Sequence, residues 1–271
     1  MQPDWLTIQR GSAPLIVSIP HAGTVIPGAI EQRLLSGALA RRDADWWVDR
    51  LYAFAEGLDA TIIRTAISRT VIDVNRDPSG ASLYPGQATT GLCPDVTFDG
   101  EPLYADGQAP DPDEIADRRR CWFEPYHAAI AGELARLRAT SSAVVLYDAH
   151  SIRSRIPRLF EGDLPNFNIG TNSGESCDVA LAAAVEAACA RSEFSRVLNG
   201  RFKGGWITRR YGRPEDGVHA VQMELACRGY MDEPTDLAQW PSAYDEGRAA
   251  PMRAALTDIL NACIDFAKAA A

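Results

Sequence analysis

Short apolar runs alternate along the chain with segments of helical periodicity. Over 113–137, apolar residues recur mostly at intervals of three, four or seven, which is typical of a helix with one buried stripe that Pro125 kinks or divides. Segment 178–190 is rich in alanine, and the stretch from Arg248 to the C-terminus predicts a closing helix that begins near Pro251. Strand-like runs lie at 15–20, 60–67, 70–74, 144–147 and 218–225. This alternation predicts an α/β fold, a single domain with a mixed or mainly parallel sheet flanked by helices.

One long segment, 77–112, departs from this pattern. It is dense in Gly, Pro, Thr and Asp and shows no sustained period. Loops of this length inside a compact domain are usually functional or disordered. Because aromatic residues and leucines recur along the segment, we expect a long ordered loop or lid that lines a cleft.

The overall charge restricts the class of partner. With 271 residues, of which 46% are hydrophobic, the chain is long enough to form a substantial core. Its formal net charge of −9 argues against binding to nucleic acid or to an anionic membrane surface, because both require a basic face. A small anionic substrate is compatible with this charge, since a few arginines in a cleft can outweigh the global field.

The cysteines and the hydropathy of the chain predict a cytoplasmic protein. The six cysteines form no C-x-x-C pair and no zinc-finger spacing, which favours reduced thiols over a redox motif or a structural zinc site. The N-terminal residues lack the pattern of a signal peptide, and no apolar run approaches the roughly eighteen residues of a membrane span.

Two histidines follow apolar, β-branched runs. His21 comes after 14–20, and His150 comes after 143–149. In open α/β sheets, ligands and chemistry gather at the carboxyl ends of strands, so the pair predicts a metal site in a shared crevice. Each histidine taken alone is equally compatible with a buried imidazole that bonds to backbone carbonyls.

Hydrolytic zinc sites generally have three protein ligands and an open position for water. Asp45 lies at the head of a predicted helix and is a candidate third ligand, although Asp43 or Asp45 can equally serve as the N-cap of that helix. Asp148 lies two residues before His150 and shares its face of an extended chain. It can orient the imidazole, bind the metal directly or form a structural hydrogen bond.

Two groups of basic residues suggest recognition of a carboxylate. Arg69 and Arg76 interrupt a strand-like run, and the alternative is that they pair with Asp73 and Asp77 within the fold. Segment 199–213 combines basic residues with glycines, which suits either an anion site or a solvated loop. Its basic residues are Arg201, Lys203, Arg209, Arg210 and Arg213.

Gln222 and Glu224 share one face of a predicted strand, opposite Val221, Met223 and Leu225. An inward-facing carboxylate suits the base of a metal hydrolase, which takes a proton from the attacking water and later gives it to the leaving nitrogen. An outward-facing Glu224 on a surface strand is the alternative.

These segments together resemble the N-formylglutamate amidohydrolase family. Their order and their coverage of most of the chain argue against chance similarity. The matching stretches are 18–23 (Ser-Ile-Pro-His-Ala-Gly), 45–46, 68–69, 71–76 (Val-Ile-Asp-Val-Asn-Arg), 83–87, 90–94, 148–153 (Asp-Ala-His-Ser-Ile-Arg), 199–205 and 222–225. The resemblance implies hydrolysis of N-formyl-L-glutamate to L-glutamate and formate, a step of histidine degradation. It also implies that residues 1–271 form a single catalytic domain, related in fold to the zinc carboxypeptidase-like hydrolases.

The resemblance further implies roles for individual residues. A divalent metal, taken as zinc, is held by His21, Asp45 and His150, and Glu224 acts as base and acid. The zinc carboxypeptidase-like hydrolases commonly carry H-x-x-E at the first histidine, whereas this chain has Thr24 in place of that glutamate. Asp45 is therefore taken as the third ligand, because it matches the Asp-Trp pair of the N-formylglutamate amidohydrolase family. The candidates for the two substrate carboxylates are Arg69, Asn75, Arg76 and Arg153, with Arg201, Lys203 and Arg209 behind them. His127, at the edge of the apolar stripe of the predicted helix 113–137, is interpreted as structural.

Two other functions stay open. The first keeps the fold but changes the substrate, as a metal-dependent amidase or deacylase on another N-acyl amino acid or peptide. The second is a non-catalytic anion-binding protein. A serine hydrolase is disfavoured because the chain has no G-x-S-x-G motif.

Overall fold

A computed structural model describes residues 3–270, which form a mixed sheet between two helical layers. Within this range the seven strands are β1 (Leu6–Gln9), β2 (Leu15–Ile19), β3 (Thr61–Thr65), β4 (Val144–Ile152), β5 (Phe167–Gly170), β6 (Arg196–Leu198) and β7 (Val218–Ala226). The eight α-helices of the same range are α1 (Gly28–Glu31), α2 (Gly37–Arg41), α3 (Val48–Leu51), α4 (Pro112–Arg118), α5 (Glu124–Arg138), α6 (Val179–Ala190), α7 (Trp206–Tyr211) and α8 (Glu246–Ala269).

The sheet has the strand order β1-β3-β2-β4-β7-β5-β6. The four central strands β3, β2, β4 and β7 are mutually parallel, so their carboxyl ends meet at one edge. Strand β1 is antiparallel to β3, and β5 is antiparallel to β7. The prediction of an α/β fold with a mixed sheet flanked by helices is therefore confirmed.

Alternation of side chains along the central strands divides the core into two layers. On one face, Val145 and Tyr147 of β4 and Met223 of β7 pack in the same cluster as residues of α6 and α8. On the other face, Leu146 packs with Tyr126 of α5. Both faces are covered, which explains why the central strands read as continuous apolar runs. Asp148, His150 and Glu224 have the strand parity of the α5 face.

Three predicted elements differ from the observed ones. The run 70–74 is not a strand: its apolar side chains are buried, but its backbone forms turns, with Val71 N–H bonded to Ser68 and Asp73 N–H bonded to Leu92. The predicted helix 113–137 is interrupted by a π-helical segment, Arg119–Phe123, and Pro125 lies in the first turn of α5. The closing helix begins at Glu246, capped by the side chain of Asp245, more than a turn before Pro251.

The long segment 77–112 returns to the helical layer at its C-terminal end. There the buried guanidinium of Arg118 donates to the carbonyl of Val71 (2.9 Å) and to the hydroxyl of Tyr104 (3.1 Å). This contact joins the end of the segment to the turn that follows β3. Across residues 3–270, no helix combines the length and the apolar character needed to cross a membrane.

Candidate active site and metal centre

The side chains of His21, Asp45 and His150 meet at the carboxyl edge of the central strands. His21 follows β2, His150 lies within β4 near its end, and Asp45 precedes α3. Oδ2 of Asp45 is 3.0 Å from Nδ1 of His150 and 3.7 Å from Nδ1 of His21. All three residues are buried, and the three potential ligand atoms lie within 4.8 Å of one another. The parallel order of β2 and β4 produces this convergence.

The opposite nitrogen of each imidazole faces a second carboxylate. Nε2 of His21 lies 2.7 Å from Oδ1 of Asp73, and Nε2 of His150 lies 2.9 Å from Oδ2 of Asp148. If each Nε2–H donates to its carboxylate, each Nδ1 keeps its lone pair toward Asp45. This is the arrangement by which carboxylates orient metal-binding histidines.

The electrostatics of the site favour a positive charge between Asp45 and the two imidazoles. Burial opposes ionisation of Asp45, but the hydrogen bond from His150 and the nearby His21 outweigh it and lower the pKa of Asp45. Burial also opposes protonation of His150, yet the carboxylates of Asp148 and Asp45 raise its pKa well above the ordinary value. In contrast, burial and the charge of Arg69 lower the pKa of His21.

The donor set fits a zinc-like ion. Among the described residues, no hydrogen-bond partner reaches Nδ1 of His21, although this atom is buried. A tetrahedral ion with ligand bonds of about 2.0–2.1 Å separates its ligand atoms by about 3.4 Å. The observed separations of 3.0 and 3.7 Å from Asp45 lie on either side of that value. Two imidazoles and one carboxylate also form a donor set that hydrolytic zinc sites use.

The carboxylate of Asp45 does not cap the helix that follows. Instead it accepts from the backbone N–H of Ser151 (3.2 Å) and from a guanidinium N–H of Arg69 (3.3 Å). Within residues 3–270, α3 has no side-chain cap, and Asp43 accepts from the backbone N–H of Phe98. The alternative N-cap role is therefore absent for both aspartates.

Glu224 lies beside the three-residue centre and lines the same cleft. It is the register partner of His150 in the β4–β7 pair. Its carboxylate is 3.3 Å from Nε2 of Gln222, and Oε1 of Gln222 accepts from the backbone N–H of Gly205 (2.7 Å). Burial raises the pKa of Glu224 to about 8. A carboxyl group with such a pKa can exchange protons near neutral pH.

The chain also matches known proteins along most of its length. A model of the family described as N-formylglutamate amidohydrolase matches residues 13–231. The chain belongs to the N-formylglutamate amidohydrolase family. A protein from Pseudomonas aeruginosa named N-formylglutamate deformylase is 49% identical over 97% of both chains, and one of the same name from Pseudomonas putida is 44% identical over 96% of this chain and 95% of its own length. The resemblance drawn from the sequence motifs is confirmed.

Solved structures of more distant proteins share the fold of this family member. An N-formylglutamate amidohydrolase from Ralstonia eutropha superposes with a TM-score of 0.80 at 23% identity, over 98% of this chain and 99% of the other. A gene product from Agrobacterium tumefaciens gives a TM-score of 0.69 at 19% identity, over 96% and 94% of the two chains. At these identities the likeness concerns the fold alone.

Three of the arginines predicted for substrate recognition line the cleft of this amidohydrolase. They are Arg69, Arg76 and Arg201. Arg69 is paired with Asp73 (2.7 Å) and Asp45 (3.3 Å), and Nε of Arg76 lies 3.7 Å from Asp73. Pairing of Arg69 and Arg76 with Asp73 and Asp77 within the fold was left open by the sequence. The structure shows this pairing for Asp73 but, among the described residues, not for Asp77.

The structure places three other predicted residues outside the cleft. The guanidinium of Arg153 pairs with Asp99 (2.6 Å) and Asp43 (3.4 Å), and so holds the 95–101 loop to the end of β4. The side chain of Lys203 is exposed, and its backbone N–H donates to the hydroxyl of Tyr84 (3.1 Å) while its carbonyl accepts from the backbone N–H of Asn172 (2.6 Å). Arg209 donates to the carbonyl of Gly204 and stacks on the ring of Tyr84. The side chains of Arg153 and Arg209 are thus engaged within the protein, whereas that of Lys203 is exposed; substrate binding by these three residues stays a prediction.

Asn75 lines the cleft, but its side-chain amide is used inside the protein. Nδ2 donates to Oδ2 of Asp148 (3.1 Å) and lies 2.9 Å from Nε2 of His150, while Oδ1 accepts from the backbone N–H of Ile207 (2.8 Å). Asn75 therefore supports Asp148, which orients His150, and the start of α7. Direct binding of substrate by Asn75 stays a prediction.

Sequence reasoning missed the role of Asp73, which contacts His21, Arg69 and the backbone of Asn75 from a fully buried position. Segment 77–112 lines the cleft through Tyr84, Thr90 and Phe98, of which the sequence analysis gave no role to Thr90. His127 lies outside the cleft, between the carbonyl of Val74 and the hydroxyl of Tyr211.

Proposed function

We propose that this chain hydrolyses N-formyl-L-glutamate to L-glutamate and formate, the reaction that its family resemblance assigns to histidine degradation. The names of the two Pseudomonas relatives, at 49% and 44% identity over nearly the whole chain, support the substrate. The observation that carries the chemistry is the convergence of two imidazoles and a carboxylate beside Glu224 in a cleft lined by arginines.

We propose that His21, Asp45 and His150 hold a divalent ion, best matched by zinc. When bound, such an ion polarises the carbonyl of an amide and makes a nearby water more acidic. The protein's contribution is to fix the three donors. Asp73 and Asp148 hold the two imidazoles from behind, and the backbone N–H of Ser151 holds the carboxylate of Asp45.

Glu224 supplies the proton transfers of the proposed reaction. Its carboxylate takes a proton from the attacking water as the oxygen adds to the formyl carbon. It then gives that proton to the amide nitrogen as the carbon–nitrogen bond breaks, which releases the amine of L-glutamate and leaves formate. Burial beside His150 brings the proton affinity of Glu224 close to that required near neutral pH.

The positive charges of the cleft suit a substrate that carries two carboxylates. Arg69, Arg76 and Arg201 line it in a chain whose formal net charge is −9, so the local field opposes the global one. We further propose a cytoplasmic location, since the six cysteines, which all lie within residues 3–270, are free and would stay reduced there.

The proposed function is tested by measuring the acyl acid that the purified protein releases from N-acyl amino acids. We expect rapid release from N-formyl-L-glutamate, and little deacylation of N-acetyl-L-glutamate, which carries an extra methyl group on the acyl carbon. We also expect a chelator to abolish release and zinc to restore it. Preferential cleavage of the acetyl compound would favour the other deacylases, and full activity after complete removal of metal would refute the proposed mechanism.

A further inference from the structure

Arg201 carries a charge in the cleft that no carboxylate of the protein neutralises. Within residues 3–270, its hydrogen bonds go to backbone carbonyls, and it forms no ion pair. Arg69 and Arg76, in contrast, lie near the carboxylate of Asp73. A half-buried guanidinium without an anionic partner is unfavourable. Its position on the wall of a substrate cleft suggests that the partner arrives with the substrate.

The orientation of this guanidinium is fixed by its surroundings. Nε donates to the carbonyl of Leu159 (2.8 Å), and Nη2 donates to the carbonyl of Ala88 (3.1 Å). The rings of Tyr84 and Phe202 lie 5.4 and 5.3 Å from its central carbon. Nη1 forms no hydrogen bond with the described part of the chain. The group is therefore held in place with donors to offer, which suits the forked binding of a carboxylate.

The other two arginines of the cleft belong to the metal-binding end. Arg69 bonds directly to Asp45. Arg76, which also donates to Thr90, lies 3.7 Å from Asp73, the carboxylate that holds His21. The hydrogen bonds of Arg201 go instead to the carbonyls of Ala88 and Leu159. Burial and the charge of Arg76 lower the pKa of Arg201, so the two guanidinium groups repel each other across a shared space. A bound anion would relieve that repulsion.

The substrate has two carboxylates at different distances from the bond that breaks. The α-carboxylate is attached to the same carbon as the formylated nitrogen, whereas the side-chain carboxylate is two methylene groups further away. Ile152, Leu159 and Phe202 line the same cleft and offer apolar surface for these methylene groups.

We propose that Arg201 binds the side-chain carboxylate of the substrate and so selects N-formyl amino acids with an acidic side chain. The inference rests on the proposed function and makes it more specific. It is tested with N-formyl-L-glutamate and with N-formyl-L-glutamine, which has nearly the same shape but a neutral side chain. The wild type should prefer the glutamate compound in kcat/KM by at least about 100-fold, because one charge-assisted contact is lost with the amide.

In Arg201→Gln, this preference should fall below about tenfold, mainly through a higher KM for N-formyl-L-glutamate with a nearly unchanged kcat. Arg201→Lys keeps the charge but not the fork, and it should give an intermediate preference. The matched control is Arg210→Gln, which removes an exposed charge from the same segment outside the cleft and should keep the wild-type preference.

The outcomes separate the two proposals. If the wild type cleaves N-formyl-L-glutamate selectively and both Arg201 variants keep that selectivity, Arg201 does not have this role. A wild type that cleaves both compounds equally well would also overturn it. If the wild type releases no formate from any N-formyl amino acid, the proposed function itself is refuted, and the role of Arg201 falls with it.

Discussion

Oδ1 of Asp73 lies 2.7 Å from Nε2 of His21, although the two residues come from different loops at the carboxyl edge of the sheet. The same carboxylate contacts Arg69 and the backbone N–H of Asn75. His21, Arg69 and nearby Arg76 hold the pKa of Asp73 well below its ordinary value despite complete burial. Asp73 therefore links His21, the first proposed metal ligand, to two arginines of the cleft.

Replacing Asp73 by asparagine should weaken metal binding. The amide cannot hold the imidazole of His21 with the strength of a carboxylate, and loss of such a partner typically lowers metal affinity by about 10–100-fold. Competition with a chromogenic chelator would measure the affinity. Asp77→Asn is the control, because within the described chain the carboxylate of Asp77 accepts only from the nearby backbone N–H of Ser79. Equal zinc affinity in folded Asp73→Asn and wild type would contradict this role.

Replacing Glu224 by glutamine should remove the proton transfers and leave the metal in place. We expect kcat to fall by about 10²–10⁴-fold, because the amide cannot act as a base. Metal content and KM should stay close to those of the wild type. Steady-state kinetics with metal analysis would measure all three quantities. Glu215→Gln changes an exposed carboxylate remote from the cleft and should have no effect. A kcat within a few-fold of wild type would exclude Glu224 as the base.

Gly205 cannot carry a side chain without disturbing the support of His150. A Cβ atom at this position would lie 2.4 Å from Nδ2 of Asn75, whose amide contacts His150. We expect Gly205→Ala to lower the free energy of unfolding by about 1–3 kcal/mol and to reduce activity at least tenfold. Gly132→Ala is the control, since that Cβ would meet no atom within 4 Å on an exposed part of α5. Unfolding curves and kcat/KM would be measured for both variants. Equal stability and activity of Gly205→Ala and Gly132→Ala would contradict the prediction.

His127 should make the fold sensitive to acid. Burial lowers its pKa to about 4 in the folded protein, whereas the unfolded chain has the ordinary value of about 6.5. Between these values the unfolded state binds more protons than the folded state. The contribution of His127 to the free energy of unfolding is therefore fully present above about pH 6.5 and is lost as the pH falls toward 4. At pH 5 the loss from this residue is about 2 kcal/mol.

Urea unfolding at pH 7.5 and pH 5.0 would measure this effect. His127→Gln removes the titrating group, so its loss of stability between the two pH values should be smaller than that of the wild type by about 2 kcal/mol. The absolute stability of the variant is not the readout, because glutamine also changes the contacts with Val74 and Tyr211. An identical pH dependence in both proteins would show that another group controls the response.

Much of the fold could be predicted from local pattern. The runs that became β2, β3, β4 and β7 are apolar because both faces of the central sheet are covered. The run 70–74 is equally apolar and equally buried, yet it forms turns. Burial alone does not distinguish a strand from a buried irregular segment, since the difference lies in which distant groups satisfy the backbone. The edge strands β1 and β6, and β5 next to β6, are too short to show a period.

The site was partly predictable for a related reason. Strand order brings His21 and His150 together, and that order follows from parallel strands with crossover connections. Which arginines enter the cleft was not predictable, because the choice depends on long-range partners. Arg153 meets Asp99, Arg209 meets the carbonyl of Gly204, and Arg201 lines the cleft without an ion pair to any residue of 3–270. In sequence, all three are basic residues near the predicted motifs.

The central claim is that His21, Asp45 and His150 hold one catalytic metal ion, and His150→Ala tests it most directly. Formate release from N-formyl-L-glutamate and bound zinc should be measured together on the wild type and this variant, with His219→Gln as a control at the opposite end of β7. We predict that the wild type and the control retain both properties and that folded His150→Ala loses both together. A folded His150→Ala protein that contains no metal and releases formate at the wild-type rate would contradict the claim.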